Sequence, residues 1–182
     1  FTPKTTFFDY GCGYGGDIER IQAQGYFSQG WDPYYRPDTA LISADVVNLG
    51  YVINVIEDPA ERREALINAW QLTQKVLIVS SLVLIDDRER GQVVYGDGVI
   101  TRRNTFQKYY EQEELKFYIE QVLNVEAIPA ALGIYFVFRD PEMAQRIRAY
   151  RFRSRTTTPR ISAYLQKFTE YQEMLQPLMA FV

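Results

Sequence analysis

The stretch Thr5-Thr6-Phe7-Phe8-Asp9-Tyr10 runs directly into Gly11-Cys12-Gly13-Tyr14-Gly15-Gly16-Asp17. The first six residues are β-branched and aromatic around one acid, the composition of a buried strand. The glycines that follow admit backbone conformations closed to other residues and let a ligand approach the main chain. Residues 16–24 then read as a helix, with Ile18 and Ile21 inward and Gly25 as its stop. Strand, glycine turn and helix in this order set the free amides of a helix N-terminus beside the strand's end.

Working outward, 27–31 reads as a second strand ended by Asp32-Pro33, and 44–52 as a third strand with its exit loop. Asp58-Pro59 opens a helix that runs to about residue 74, with proline at its first position. The run 75–83 (KVLIVSSLV) is apolar on both faces, as a buried parallel strand must be. Residues 84–108 are polar and glycine-punctuated and read as a long loop or lid without regular structure. An amphipathic helix over 111–123 precedes strands at 125–129 and 133–138, which suit an antiparallel hairpin. Further helices are expected at 141–150 and about 159–180. Alternating strands and helices with a terminal hairpin predict an α/β fold, a mostly parallel sheet with helices on both faces. In such sheets ligands bind beyond the carboxyl ends of the strands, at the switch point.

Composition narrows the chemistry. The 182 residues, 47% hydrophobic and 24% charged, suffice for one sizeable core but not for two ordinary domains. No run approaches the roughly 20 apolar residues of a membrane helix. There is no histidine, which excludes Ser-His-Asp and Cys-His nucleophiles and a histidine general base. One cysteine allows neither an internal disulfide nor a thiolate zinc site, so no metal is expected and a cytoplasmic setting is the simple reading. The net charge of −3 is unevenly spread. Residues 1–140 hold 13 Lys/Arg against 20 Asp/Glu; residues 141–182 hold 7 against 3. The basic tail (Arg146, Arg148, Arg151, Arg153, Arg155, Arg160) reads either as a solvated extension or as a phosphate-contacting surface. The division expected is a domain over 1–140 and a helical, basic extension over 141–182. The start at Phe1, without methionine, reads as part of a longer polypeptide.

The glycine stretch satisfies two patterns. Gly11, Gly13 and Gly16 form G-x-G-x-x-G, the dinucleotide fingerprint. Asp9, Gly11, Gly13 and Gly15 form acid-x-G-x-G-x-G, which resembles motif I of class I S-adenosylmethionine methyltransferases. Asp32, at the end of the second strand, is placed to accept hydrogen bonds from ribose hydroxyls in either case. Dehydrogenase chemistry lacks its usual proton-handling groups here, so an NAD-binding oxidoreductase is the weaker alternative. The resemblance implies S-adenosylmethionine as cofactor, held by Asp9, Tyr10, Gly11, Cys12, Gly13, Gly15, Asp32 and Pro33. It also implies a last strand inserted antiparallel. Asp45-Val46-Val47-Asn48-Leu49-Gly50-Tyr51 resembles motif IV of the same families, which adds Asn48, Leu49 and Gly50 to the cofactor's surroundings. Tyr51 and Asn54 become the catalytic candidates, with Glu57 and Asp58 as further acceptor contacts; for Asp58 helix capping is the stronger role. Only 12 residues separate Asp32 from Asp45. The usual next strand, with its acid for the adenine amino group, is therefore either vestigial at 40–43 or replaced by another contact.

The runs NLGYVINVIEDPAERREAL and YGDGVITRRNTFQKYYEQEEL resemble, more narrowly, a bacterial methyltransferase family associated with DNA phosphorothioation gene clusters. That resemblance implies a role near DNA sulfur modification or defence, with nucleic acid, DNA first, as partner. Asp32-Pro33-Tyr34-Tyr35 resembles the D-P-P-Y motif of amino-methylating DNA enzymes but follows the wrong strand. Cys12 lacks the Pro-Cys setting of a cytosine-C5 enzyme. Acceptor contacts are expected from the 84–110 segment, at Tyr95, Arg102, Arg103, Lys108 and Tyr109, where aromatics stack a base and cations pair phosphate. A solvated loop anchored by Phe106 and Tyr109 is the competing reading. The reading as a whole is methyl transfer to nitrogen or oxygen by in-line displacement. A non-catalytic cofactor-binding module of a DNA-modification system is the other alternative.

Overall fold

The computed structural model describes residues 2–84 and 93–157, with side chains as far as residue 149. Phe1–Ala144 forms one compact unit and Gln145–Val182 a second; the sheets and the site lie in the first.

That unit follows the expected alternation. Strand β1 (Thr6–Tyr10) leads through the glycine turn to helix α1 (Gly16–Ala23) and strand β2 (Phe27–Trp31). Strand β3 (Ala44–Gly50) leads to helix α2 (Pro59–Leu72) and strand β4 (Thr73–Ser80). Three short strands follow: β5 (Val93–Tyr95), β6 (Gly98–Ile100) and β7 (Phe106–Gln107). Helix α3 (Gln112–Leu123), strands β8 (Ala127–Ala131) and β9 (Ile134–Phe138), and helix α4 (Pro141–Thr157) complete the order.

The main sheet runs β2-β1-β3-β4-β9-β8. Its first four strands are parallel; β9 pairs antiparallel with β4, and β8 with β9. The terminal hairpin is thus where the sequence placed it. The chain passes from β1 outward to β2 and returns on the other side of β1 as β3. The carboxyl ends of these three strands therefore surround a switch point. Residues 40–43 form no strand, so β2 is the edge of the sheet.

Burial explains the layers. Phe8, Val47, Leu49, Leu77, Val79, Tyr135 and Val137 are fully buried along the central strands. Ala65, Leu66 and Ala69 of α2 and Leu115 and Ile119 of α3 join the same core. Helix α2 starts where a cap and proline coincide: Asp58 accepts from the amides of Ala60 (2.6 Å) and Glu61 (3.3 Å). It runs without a loop into β4, two residues earlier than the sequence placed that strand. Thr73 is the joint, its hydroxyl donating to the Ala69 carbonyl at 2.9 Å. A capping box between Glu111 and Glu114 starts α3, and Asn124 ends it in the left-handed region at φ 52°.

One expectation fails outright. Residues 93–107 are not an irregular loop but a three-stranded antiparallel sheet, β5-β6-β7. Its first turn is the two-residue Gly96-Asp97, with Tyr95 paired to Gly98 and Gly96 at φ 56°. A two-residue loop of this kind matches the twist of its flanking strands. Gly98 is required because a β-carbon there would lie 2.6 Å from the Phe106 ring. The helix expected at 141–150 extends to Thr157 as α4. The helix expected at 159–180 and the expected loop residues 85–92 lie outside the described residues.

Candidate active site

The glycine loop is held from two sides. The amides of Gly11 and Cys12 both donate to the Trp31 carbonyl, at 2.8 and 3.1 Å, which ties the end of β1 to the end of β2. Gly11 (φ +82°) has Val52 packed where a β-carbon would stand. Gly15 (φ +90°) lies beneath Arg36, whose Nη2 would be 2.6 Å from a β-carbon; Arg36 also donates to the Tyr14 carbonyl at 3.0 Å. Gly15 caps α1 with no side-chain acceptor, so the amides of the first turn face outward unpaired by a cap.

Asp32 organises the β2 side. Its carboxylate accepts from the Gly13 amide through Oδ2 and from the Tyr34 and Tyr35 amides through Oδ1, each at 2.9 Å. Partial burial pushes against ionisation, but these three donors outweigh it and hold the carboxyl below its ordinary range. A carboxylate offers about four acceptor positions, so about one remains for a ligand hydroxyl. The same turn exposes Pro33 and packs Tyr35 at a tilt against Tyr14 (centroids 4.2 Å apart) and edge-on against Tyr34 (4.9 Å).

At the end of β1 Asp9 is 4% exposed, with one hydrogen bond, from Asn48 Nδ2 at 2.9 Å. Burial pushes its pKa up to about 6, which the Asn48 bond only partly offsets; Asp17 and Asp32 add repulsion. A carboxylate in this condition gains from any cation brought beside it. Cys12 sits next to it as a thiol: burial, then the Asp9 charge, raise its pKa. Leu49 is fully buried and the Tyr10 side chain packs on Trp31 (centroids 5.0 Å apart), so both belong to the core and offer a ligand at most their backbone.

Gly50 is followed by Tyr51 at φ 58°, a left-handed conformation costing a non-glycine residue about 1–2 kcal/mol. Its amide donates to the Ser80 carbonyl at 2.8 Å, and its side chain is exposed. Asn54 is 2% exposed; its carbonyl accepts from the Lys108 amide (2.8 Å) and Gln107 Nε2 (3.0 Å), while its Oδ1 has no partner among the described residues. It does not cap α2; Asp58 does.

Beyond this loop Arg62 is 2% exposed within α2. It forms a bidentate pair with Asp97 (2.6 and 3.1 Å), which Lys108 also approaches at 3.4 Å, and donates to the carbonyls of Ile56 and Glu57. One guanidinium therefore fastens the β5–β6 turn to the segment before α2. Between them lies a cleft of about 760 Å³, lined by Val55–Pro59, Glu61, Tyr95–Asp97 and Phe106. Tyr95 donates to Glu57, which raises the phenol's pKa.

The expected acceptor residues divide. Tyr95 lines the cleft, and Arg102 and Arg103 are exposed on the turn between β6 and β7. Tyr109 is half-buried beside α3. Lys108 is corrected: it is 8% exposed, bridges Glu114 (2.8 Å) and Asp97 (3.4 Å), and lies over the Tyr110 ring. It is a structural cation, not a phosphate contact. Of the basic-tail candidates, Arg146 and Arg148 lie on α4, while the side chains of Arg151, Arg153 and Arg155, and Arg160 altogether, fall outside the described residues.

No protein-family model and no curated protein matches this chain. Solved structures do match it. CalS10, an amino pentose methyltransferase from Micromonospora echinaspora solved with S-adenosylmethionine bound, aligns at TM-score 0.51 and 15% identity, over 75% of this chain and 84% of that one. The sugar N-methyltransferase KedS8 from Streptoalloteichus aligns at 0.53 and 12%, over 75% and 81%. Magnesium protoporphyrin IX methyltransferase from Synechocystis, with S-adenosylhomocysteine bound, aligns at 0.52 and 15%, over 76% and 75%. The fold is the class I methyltransferase fold. The glycine turn and Asp32 follow the carboxyl ends of β1 and β2, which pair in parallel.

Arg62 and Arg36 were not singled out from sequence. Arg62 carried a signal, since it stands three and four residues before Ala65 and Leu66 and so shares their buried face. Arg36 carried none; its place over Gly15 depends on the turn that Asp32 folds.

Proposed function

We propose that the chain binds S-adenosylmethionine and transfers its methyl group to a nitrogen or oxygen acceptor. The observation that carries this is the convergence of the open glycine turn, buried Asp9 and exposed Tyr51 at the switch point of a methyltransferase fold. The residues suit the cofactor. Gly13 and Gly16 leave open space in the turn, Asp9 has no cation beside it among the described residues, and Asp32 keeps an acceptor position for a ribose hydroxyl. The bound cofactor supplies an activated methyl group on a sulfonium. The protein's own share is alignment: Asp9 and Asn48 orient the cationic end, and Tyr51 and Asn54 stand where the acceptor must approach. With no histidine, an acceptor proton leaves to a carboxylate, a tyrosine or water. Residues 1–140 are the catalytic domain in this reading, and 141–182 an extension of it.

The finer reading, a nucleic-acid acceptor in DNA sulfur modification, is supported by the resemblance of the 48–66 and 95–115 segments and by exposed Arg102 and Arg103. The burial of Lys108 counts against it. Calorimetric titration with S-adenosylmethionine, S-adenosylhomocysteine and NAD tests the cofactor; NAD binding without S-adenosylmethionine binding refutes the proposal. Transfer of labelled methyl groups to DNA, phosphorothioated DNA, RNA and protein tests the acceptor. Cofactor binding with no transfer to any acceptor favours a binding module.

A further inference from the structure

Tyr51 stands at φ 58°, in the left-handed region, on the acceptor side of the proposed cofactor site. A bulky residue keeps such a conformation only where its surroundings over-determine it. The front of its loop is held by the main sheet: the Tyr51 amide donates to the Ser80 carbonyl, and Val52 packs against Gly11. The rear is held elsewhere. The Asn54 carbonyl accepts from the Lys108 amide and from Gln107 Nε2, at the end of the small sheet. The Ile56 carbonyl accepts from Arg62 Nε (3.2 Å) and Nη2 (3.0 Å), and the Glu57 carbonyl from Nη2 (3.2 Å).

Arg62 makes this hold conditional. Its side chain is 3% exposed, and a buried guanidinium without a counter-ion is strongly disfavoured. Among the described residues its ion-pair partner is Asp97, in the β5–β6 turn, and the guanidinium also lies over the Phe106 ring of β7, 5.7 Å from its centroid. If the turn departs, the charge loses its partner and must move toward water. The Ile56 and Glu57 carbonyls then lose their donors with it. An intermediate arrangement, with the loop held and the turn released, carries an unpaired buried charge. The docked turn and the held loop therefore form and break together.

Resting on the methyl-transfer reading, we infer that Arg62 and Asp97 are positioning residues: docking of the β5–β6 turn on Arg62 holds the 51–57 loop, and with it Tyr51, in the conformation that meets the acceptor. The small sheet is a clasp on the acceptor side, and neither residue of the clasp needs to touch cofactor or acceptor. The pair can be probed without dismantling the fold. The Asp97 side chain is 42% exposed, and Lys108 keeps Glu114 at 2.8 Å when the Asp97 charge is removed.

The whole chain labelled with fluorotyrosine reports Tyr51 by fluorine NMR, its signal assigned among the 14 tyrosines with Tyr51→Phe. Asp97→Asn keeps the shape of the turn and removes its charge. It is expected to shift or split the Tyr51 signal. It should also speed amide exchange at Val55, which donates to the Val52 carbonyl, by about tenfold or more, with Val47 and Leu77 in the main sheet unchanged. Arg62→Lys keeps the charge but not the fork of donors and is expected to act in the same way. Asp97→Glu keeps the charge and is expected to leave the Tyr51 signal at its parental position. A role in stability alone predicts a lower urea midpoint for Asp97→Asn with the Tyr51 signal and Val55 exchange as in the parent; that result overturns the inference. So does a Tyr51 signal altered as much by Asp97→Glu as by Asp97→Asn, or exchange that quickens equally at Val47 and Leu77. Titration of the parent with S-adenosylhomocysteine separates this from the reading beneath it. Without binding, the methyl-transfer assignment falls, while the Tyr51 signal still decides whether the clasp exists.

Discussion

Replacing Asp9 by asparagine should make the protein more stable and less able to bind its cofactor. Asp9 is 4% exposed and is served by one donor, Asn48 Nδ2 at 2.9 Å. Its pKa rises from 3.8 to about 6 on folding, chiefly through burial. Between those values the folded state holds a proton that the unfolded state has released. Stability therefore falls as pH rises through that window and levels off above it. The penalty at about neutral pH is about 3 kcal/mol. Asparagine avoids it and keeps an oxygen, but its amide adds an N–H with no evident acceptor, at about 1 kcal/mol or more. The net expectation is a gain of about 1–2 kcal/mol near pH 7, shrinking to nothing or reversing near pH 4. Urea denaturation of both proteins at several pH values measures the difference directly. Asp32, Asp45 and Asp97 have lowered pKa values and titrate below this window with the opposite sign, and both proteins carry them. Calorimetry should show S-adenosylmethionine affinity reduced about tenfold or more, because the buried negative charge is gone. An Asp9→Asn protein less stable than the parent at neutral pH, with the same slope between about pH 4 and 6, would refute the reasoning.

Gly11→Ala forces a β-carbon onto Val52 at φ +82° and is expected to cost about 2 kcal/mol and to abolish cofactor binding. Adding Val52→Ala should recover part of the stability, since it relieves the collision but not the backbone strain; no recovery in urea denaturation would count against the contact. Arg62→Met leaves two carbonyls without their donor and Asp97 with Lys108 alone, and should destabilise by about 3 kcal/mol in the same assay. Asp58→Ala removes an N-cap and is expected to cost about 1 kcal/mol, with S-adenosylmethionine affinity unchanged by calorimetry.

Helices α1, α2 and α3 and the strands of the parallel half were legible because their signals are local. Asp58-Pro59 carries a cap and a proline, KVLIVSSLV has no polar face, and the glycine turn is a run of residues with one conformational use. The small sheet was equally local and was passed over. Val93-Val94-Tyr95 and Gly98-Val99-Ile100 flank Gly96-Asp97, a hairpin signature, inside a segment that composition marked as a loop. Lys108 was misjudged for a different reason. Its ion-pair partners, Asp97 in the β5–β6 turn and Glu114 in α3, lie on two other elements, and no spacing reveals that they converge on it.

By itself, then, the sequence determined which chemistry was open to this protein: no histidine, a glycine turn after a buried strand, and an acid at each of two strand ends. Those are properties of residue type and short spacing, which survive in any packing of the chain. Tertiary structure alone decided what each charge is free to do. Asp32 is largely occupied by backbone amides and Lys108 is neutralised out of sight. Arg62 is buried as a fastener, while Asp9 has no cation beside it among the described residues. The physical reason is that solvation and pairing set the energy of a charge, and both depend on neighbours brought together from distant parts of the chain.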